Sequence, residues 1–484
     1  MIPSVKEVSE PVVHGASANT GARWGFLVTD SSRLMHLMAG AGRRIAEGCL
    51  SPCKRRITAV SRALFLVSGA LLVAPAGIAS ATTSADHWVG SWTASPTDAV
   101  TPFDAAGLPV PEVLADQTLR MIVTPHLGGT EMRLHLSNRF GYATARFADV
   151  TVGIAGTSSV SDITPVTFGS RREVSVTQGH DVVSDPVAFK FAAFTPLAVS
   201  IFIPGIQSYP TKHWNANAMS YYSPPETGDL TTVASNFLFS LPTEAWLYVD
   251  GIDVEAPVAT GAIVAFGDSI TDGFVSSTPL SLPVSLAVAN KNGRYPDDLQ
   301  RRIDAAGLPI SVLNAGIGSN RLVTDGEPLL LGLSGVQRFQ ADALDVPGVK
   351  GVIVQEGIND LGIPPAVTTP SELITGYKTI IAMAHAEGVK IWLGTLLPAS
   401  NAIIDGTATA PMSEIYREQV NAWIRSQHLA DGVIDFDAAM RDPHDPSILN
   451  PLYASTDHLH PNLLGYEVMA NTVSLAMLQT ALTR

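Results

Sequence analysis

The chain has 484 residues, 46% of them hydrophobic and only 15% charged, with a formal net charge of −14. That length exceeds one compact domain, and the composition is that of a core-forming protein, which excludes a disordered chain. The acidic balance and the lack of a basic face argue against nucleic acid as a partner.

Near the N-terminus, Lys54, Arg55, Arg56 and Arg62 precede the apolar run from Ala63 to Ala74, and small residues follow to Ala79-Ser80-Ala81. A basic region, a short apolar core and an A-x-A site form a secretory signal. The run is short for a membrane span, which needs about 20 residues. Residues 1–81 are therefore expected to be a leader, with the mature chain starting near Thr82, outside the cytoplasm or in the cell envelope, and with no stable membrane insertion after cleavage. An uncleaved anchor is the alternative. The residues after Arg55-Arg56 fit a twin-arginine signal poorly. Both cysteines, Cys49 and Cys53, fall inside the leader. The mature chain then has no disulfide, no thiol nucleophile and no cysteine metal ligand.

From residue 82 to 257 the pattern is β-like. The segments 119–125, 132–138, 150–156, 187–193 and 197–205 alternate or are β-branched, and Gly, Pro, Asn and Asp punctuate them. This predicts an all-β sandwich of jelly-roll type. From 258 to 484 the rhythm changes. Continuous apolar runs at 262–268, 310–316, 349–357, 389–398 and 432–438 alternate with helical stretches at 295–307, 370–388 and 412–430 and a last helix near 462–482. Strands buried on both faces and separated by helices predict an α/β domain with a parallel sheet, with residues 258–261 as the junction.

Ligands bind beyond the carboxyl ends of such strands. After the first apolar run comes Gly267-Asp268-Ser269-Ile270. After the second comes Asn314-Ala315-Gly316-Ile317-Gly318-Ser319-Asn320-Arg321, and after the third Glu356-Gly357-Ile358-Asn359-Asp360. The last segment is Asp457-His458-Leu459-His460-Pro461. A serine, a histidine and an aspartate thus gather on one rim. A serine hydroxyl becomes a nucleophile when a base takes its proton, imidazole is suited to that task near neutrality, and a carboxylate fixes its tautomer. No G-x-S-x-G elbow is present.

These four segments, "GDSI", "NAGIGSNR", "EGIND" and "DHLHP" in this order, resemble the SGNH or GDSL-type hydrolase family from about Gly261 to the C-terminus. The resemblance implies a flavodoxin-like three-layer α/β/α sandwich and a serine carboxylic-ester hydrolase working through an acyl-enzyme. It implies Ser269 as nucleophile, His460 as base and Asp457 as the residue orienting it. It implies an oxyanion hole built from the Ser269 N–H, the Ser319 N–H and the Asn359 side chain. The family usually has glycine where Ser319 stands, which leaves open a one-residue shift of the role to Gly318.

Arg321 and His458 are further candidates for the substrate pocket or its rim; a surface arginine and a structural histidine are the plain readings. Asp268 and Asp360 are read as loop-holding carboxylates, and Trp214, Tyr221 and Tyr222 as β-domain core rather than a sugar platform. Asp457, His458 and His460 lie close enough for a metal site, but no other cluster supports one, and neither metal nor cofactor is expected. The expected partner is a small-molecule or carbohydrate ester. An acyltransferase with the same triad and a carbohydrate-binding protein with a vestigial hydrolase domain are the competing readings.

Overall fold

The computed structural model describes residues 86–326, 332–363 and 367–483. The expected leader lies outside the described residues. Ala79–Arg484 form one compact unit.

Residues 87–256 fold as two large antiparallel sheets, with two further two-stranded ones. One carries His87–Thr93, Val249–Ala256, Gly129–Ser137 and Asp181–Val183, with Val187–Phe191 also paired to Gly129–Ser137; the other has six strands built around Val113–Val123 and Leu197–Ser208. Alternation puts Met132, Leu134 and Leu136 of one sheet and Leu119, Met121 and Val123 of the other into one shared core. Each strand so buries one face, and the pair makes the sandwich that the period-two pattern predicted.

The chain then turns through residues 257–260 and enters a five-stranded parallel sheet. Its strands, first to fifth, are Gly261–Gly267, Ile310–Gly316, Val349–Gln355, Lys390–Gly394 and Gly432–Ile434, in the spatial order second, first, third, fourth, fifth. Helices Pro370–Ala386 and Ser413–Ser426 cover one face through Leu373, Ile380, Val420 and Ile424. Helices Tyr295–Ala305 and Leu463–Thr472 cover the other through Leu299, Ile303 and Met469. This is the three-layer α/β/α arrangement with flavodoxin strand order.

The helix expected over 462–482 is broken. It stops at Thr472, Val473 is extended, and Ser474 caps a new turn over Leu475–Gln479 by accepting from the Met477 N–H. The π-turn Gln340–Leu344, running on from helix Gly335–Phe339, has no counterpart in the sequence reading.

The sandwich and the α/β region meet along the first sheet. Val89 and Ala256 enter the core on one face of the parallel sheet, and the Thr93 hydroxyl donates to the Asn314 carbonyl at 2.9 Å.

Candidate active site

Register brings the loops together. Gly267 pairs with Gly316 on one side and with Gln355 on the other, so the first three parallel strands end level. Ser269, Ser319 and Asn359 lie just past those ends, where the strand order reverses.

Ser269 opens the short helix Ser269–Asp272. Asp268 caps it, its Oδ1 accepting from the Ile270 N–H at 2.9 Å. The turn presses on the second strand: a Cβ on Gly316 would lie 2.2 Å from the Asp272 nitrogen, so only glycine fits there.

The C-terminal segment supplies the other two groups. His460 Nε2 lies 2.7 Å from Ser269 Oγ, and His460 Nδ1 lies 2.6 Å from Asp457 Oδ2. Asp457 Oδ1 accepts from the Ser455 hydroxyl at 3.0 Å and from the Leu459 and His460 N–H groups at 3.1 Å each. Burial pushes the Asp457 carboxyl up, but the His460 ring and these donors outweigh it and hold it well below the usual carboxylate range. Because Asp457 takes the Nδ1 proton, Nε2 is left as the acceptor for the serine proton. The Phe274 ring stacks on the His460 ring, centroids 5.3 Å apart.

Three donors bear on the oxyanion question. Among the described residues, neither the Ser269 N–H nor the Ser319 N–H gives a hydrogen bond to a protein acceptor. Asn359 is 2% exposed and donates one amide hydrogen to the Asn320 carbonyl at 2.8 Å, leaving the other. The Gly318 N–H is engaged with Asp272 Oδ2 at 3.1 Å. Ser319 stands at φ +59°, the left-handed region. A glycine adopts that conformation freely, whereas serine pays about 1–2 kcal/mol for it.

The remaining candidates are placed as follows. Arg321 is buried, 5% exposed, and donates to the Ile363 carbonyl at 3.1 Å, so it is not a surface arginine. His458 is exposed, with its backbone at φ +60° in the turn between Asp457 and His460. Asp360 accepts from the Leu322 and Val323 N–H groups at 2.8 and 3.0 Å and so ties the second loop to the third, the loop-holding role expected of it. Tyr222 is in the sandwich core, but Trp214 is not: it packs with Ala105, Val284 and Phe274, the last of these at 5.8 Å between ring centroids. Among the described residues no group of three His, Cys, Asp or Glu side chains is arranged to hold a metal ion, and no helix is long and apolar enough to cross a membrane.

Sequence reasoning missed Arg338. Its guanidinium donates to the Gly267 and Ala315 carbonyls at 2.8 Å each and to Asn320 Oδ1 at 2.7 Å, with Glu356 at 3.4 Å. One buried fork thus clamps the ends of the first two strands and the second loop. It sits in an unremarkable amphipathic stretch, and no local signal marks it. Beneath the rim, burial pushes Asp268, Glu356 and Asp405 up to about 8, with repulsion from neighbouring carboxylates adding to the effect, and it pushes Asp360 up to about 6 against the Leu322 and Val323 N–H groups and Arg321, which lower it.

A serine, histidine and aspartate in relay contact at the switch point of a flavodoxin-ordered parallel sheet is an arrangement able to activate a serine hydroxyl as a nucleophile. Residues 265–468 match the GDSL-like Lipase/Acylhydrolase family and form a GDSL-like acylhydrolase domain, which follows an N-terminal antiparallel β region. Similar solved structures include a putative lipolytic protein of the G-D-S-L family from Desulfitobacterium hafniense, at 20% identity over 44% of this chain and 97% of that one, with a TM-score of 0.31. An inhibitor-bound aryl esterase from M. smegmatis is similar at 15% identity over 46% and 98%, TM-score 0.35. A carbohydrate acetylesterase from Sinorhizobium meliloti is similar at 16% identity over 46% and 99%, TM-score 0.34. No curated protein matches the chain.

Proposed function

We propose that the protein hydrolyses carboxylic esters through an acyl-enzyme on Ser269. The observation that carries this reading is the continuous relay from Ser269 Oγ through the His460 ring to Asp457, at 2.7 and 2.6 Å. Ser269 Oγ attacks the ester carbonyl as His460 Nε2 takes its proton. The resulting oxyanion is held by the Ser269 and Ser319 N–H groups and the free amide hydrogen of Asn359. His460 returns the proton to the departing alkoxide, which leaves as the alcohol. Water then attacks the acyl-serine by the same route, releasing the carboxylic acid and restoring Ser269.

The natural substrate is read as a carbohydrate ester. This rests on the appended β region and on the export signal read from residues 54–81 in the sequence. Export places the enzyme outside the cytoplasm, with a mature N-terminus near Thr82. A panel of acetylated glycans against p-nitrophenyl esters of increasing chain length tests the substrate class.

The reading is tested by Ser269→Ala. The variant is expected to fold, to lose at least about 10³-fold in kcat on p-nitrophenyl acetate and to resist labelling by a fluorophosphonate. Activity within about tenfold of wild type refutes the nucleophile.

A further inference from the structure

The β region does more than pack against the α/β region, because one of its segments reaches the residues around Ser269. That segment is residues 213–217. The Asn217 side chain donates to the Asp272 carbonyl at 3.1 Å. Trp214 packs on Phe274, which in turn stacks on His460. His213 makes the most informative contacts. Its Nδ1 lies 2.7 Å from the Ser95 carbonyl, and its Nε2 lies 2.9 Å from the Asn215 carbonyl and 3.2 Å from Asp272 Oδ1.

All three of these partners are acceptors. A neutral imidazole has one N–H and one lone pair, so it would aim a lone pair at an acceptor here. Only the imidazolium satisfies both nitrogens. His213 and Asp272 are therefore a buried ion pair, 4% and 1% exposed. The other oxygen of Asp272 accepts the Gly318 N–H at 3.1 Å. Gly318 immediately precedes Ser319.

We infer that His213 is a positioning residue of the esterase site: its imidazolium fixes the Asp272 carboxylate, which holds the Gly318 peptide and thereby aims the Ser319 N–H at the oxyanion. This rests on the esterase reading and adds to it a role for the β region in the chemistry. The Asp272 carboxylate has two oxygens and two duties, one on each region of the protein. Removing the cation leaves a buried charge that turns toward other donors, and the Gly318 N–H loses its anchor. An oxyanion donor is worth about 10²–10³ in rate, and a displacement of about 1 Å forfeits much of it.

Charge balance around the pair fits this role. Burial pushes His213 down, but the Asp272 charge and hydrogen bond and the two carbonyls raise it above the ordinary histidine value. Arg294 and the buried Glu244 are the other ionisable side chains bearing on Asp272, with Tyr466. On the strand of His213, Lys212 is already paired with Asp98 at 2.9 Å, and the Trp246 ring lies 5.6 Å from the His213 ring. The cation is favoured below its raised value and lost above it, so activity should carry an alkaline limb that belongs to His213.

The experiment uses the full chain, with His213→Gln and Asp272→Asn compared with wild type. kcat and KM on p-nitrophenyl acetate, the second-order rate of fluorophosphonate labelling, and Tm are read for each. Expected is a fall in kcat and in labelling rate of about 10- to 100-fold per folded molecule, with KM within about twofold, and loss of the alkaline limb in His213→Gln. A purely structural role would lower Tm and the yield of folded protein while leaving kcat per folded molecule unchanged. Should His213→Gln fail to fold, Asp272→Asn, which keeps the volume, decides on the same criteria. Folded variants with kcat within about threefold of wild type overturn the inference alone. A wild type that neither turns over the ester nor labels at Ser269 overturns the esterase reading and this inference with it.

Discussion

Replacing Asp457 by asparagine tests the relay where its geometry is most demanding. Oδ1 of Asp457 accepts from three donors, the Ser455 hydroxyl and the Leu459 and His460 N–H groups, and Oδ2 accepts from His460 Nδ1 alone. An asparagine has one acceptor oxygen. Placing it at the three-donor position keeps three hydrogen bonds and turns the amide NH2 toward His460 Nδ1. The opposite placement keeps one hydrogen bond and sets the NH2 against three donors. The Ser455 hydroxyl can give its single hydrogen to the His460 carbonyl instead, at 2.9 Å, so the net difference is one to two bonds, which at about 1 kcal/mol each favours the first placement by about 1–2 kcal/mol, a factor of about 5 to 30. In that placement Nδ1 must accept, the proton moves to Nε2, and the ring faces Ser269 with a donor where a base is needed. Losing the carboxylate charge also withdraws support from the imidazolium that forms in the transition state. Together these predict a fall in kcat of about 10² to 10⁴, the upper figure being that of the equivalent change in a serine protease. The assay is p-nitrophenyl acetate hydrolysis with circular dichroism as the check on folding, and His458→Asn as a control that alters the same turn without touching the relay. A folded Asp457→Asn variant within tenfold of wild type refutes the reasoning.

Gly318→Ala is expected to lower both stability and turnover. Its Cβ would lie 2.7 and 2.8 Å from Phe274 ring carbons and 3.1 Å from Trp214 Nε1. Such overpacking costs about 1–3 kcal/mol and shifts the ring that stacks on His460; an unchanged Tm with unchanged kcat would contradict the packing described. Stability should also fall as pH rises. Asp268, Glu356 and Asp405, pushed up to about 8 by burial, keep in the folded state a proton that the unfolded chain releases near about 4. Their contribution is fully present below the unfolded value and lost as pH rises through the folded one. Tm should drop between about pH 4 and 8 and level off above that, and Asp405→Asn should flatten that slope; an equally steep slope in the variant would show that Asp405 is ionised throughout.

The parts of this site that could be read from the sequence are those in which chemistry and backbone position sit in one short string. "GDSI" follows an apolar run directly, and "DHLH" carries two members of the relay three residues apart, so Ser269, Asp457 and His460 needed no knowledge of distant contacts. The number and parallel character of the strands were legible for the same reason: five apolar runs separated by helical stretches are the pattern of a parallel α/β sheet. Conformation at single residues was not legible. Nothing in "GIGSN" says that Ser319 adopts φ +59°, or that the Gly318 N–H is already engaged. Long-range polar contacts were equally hidden. Arg338 reaches back 71 residues to the Gly267 carbonyl, and His213 reaches forward 59 residues to Asp272. Periodicity reports which face of an element is buried, and it is silent on which buried polar group meets which.

Those hidden contacts share a location, and this bears on how the two regions of the chain relate. His126, from the sandwich, places Nδ1 2.6 Å from the Val312 carbonyl and Nε2 2.9 Å from Asp297 Oδ1, and Arg294 donates to both oxygens of Asp297. Burial pushes Asp297 up, yet Arg294 and His126 together hold it far below the usual carboxylate range. His213 and Asp272 repeat the same device nearer the nucleophile. The His213–Asp272 pair has one member in each region, so separating the regions would leave both without their partner at a cost of several kcal/mol, whereas Asp297 would lose His126 and keep Arg294. Apolar packing works in the same direction: a Cβ on Gly90 would come within 2.6 Å of Leu313, which leaves no slack between the first sandwich strand and the second parallel strand. Two regions joined by paired charges and by contact this close gain or lose order together. The sandwich therefore helps to fix the positions of the strand ends on which Ser269 and Ser319 depend.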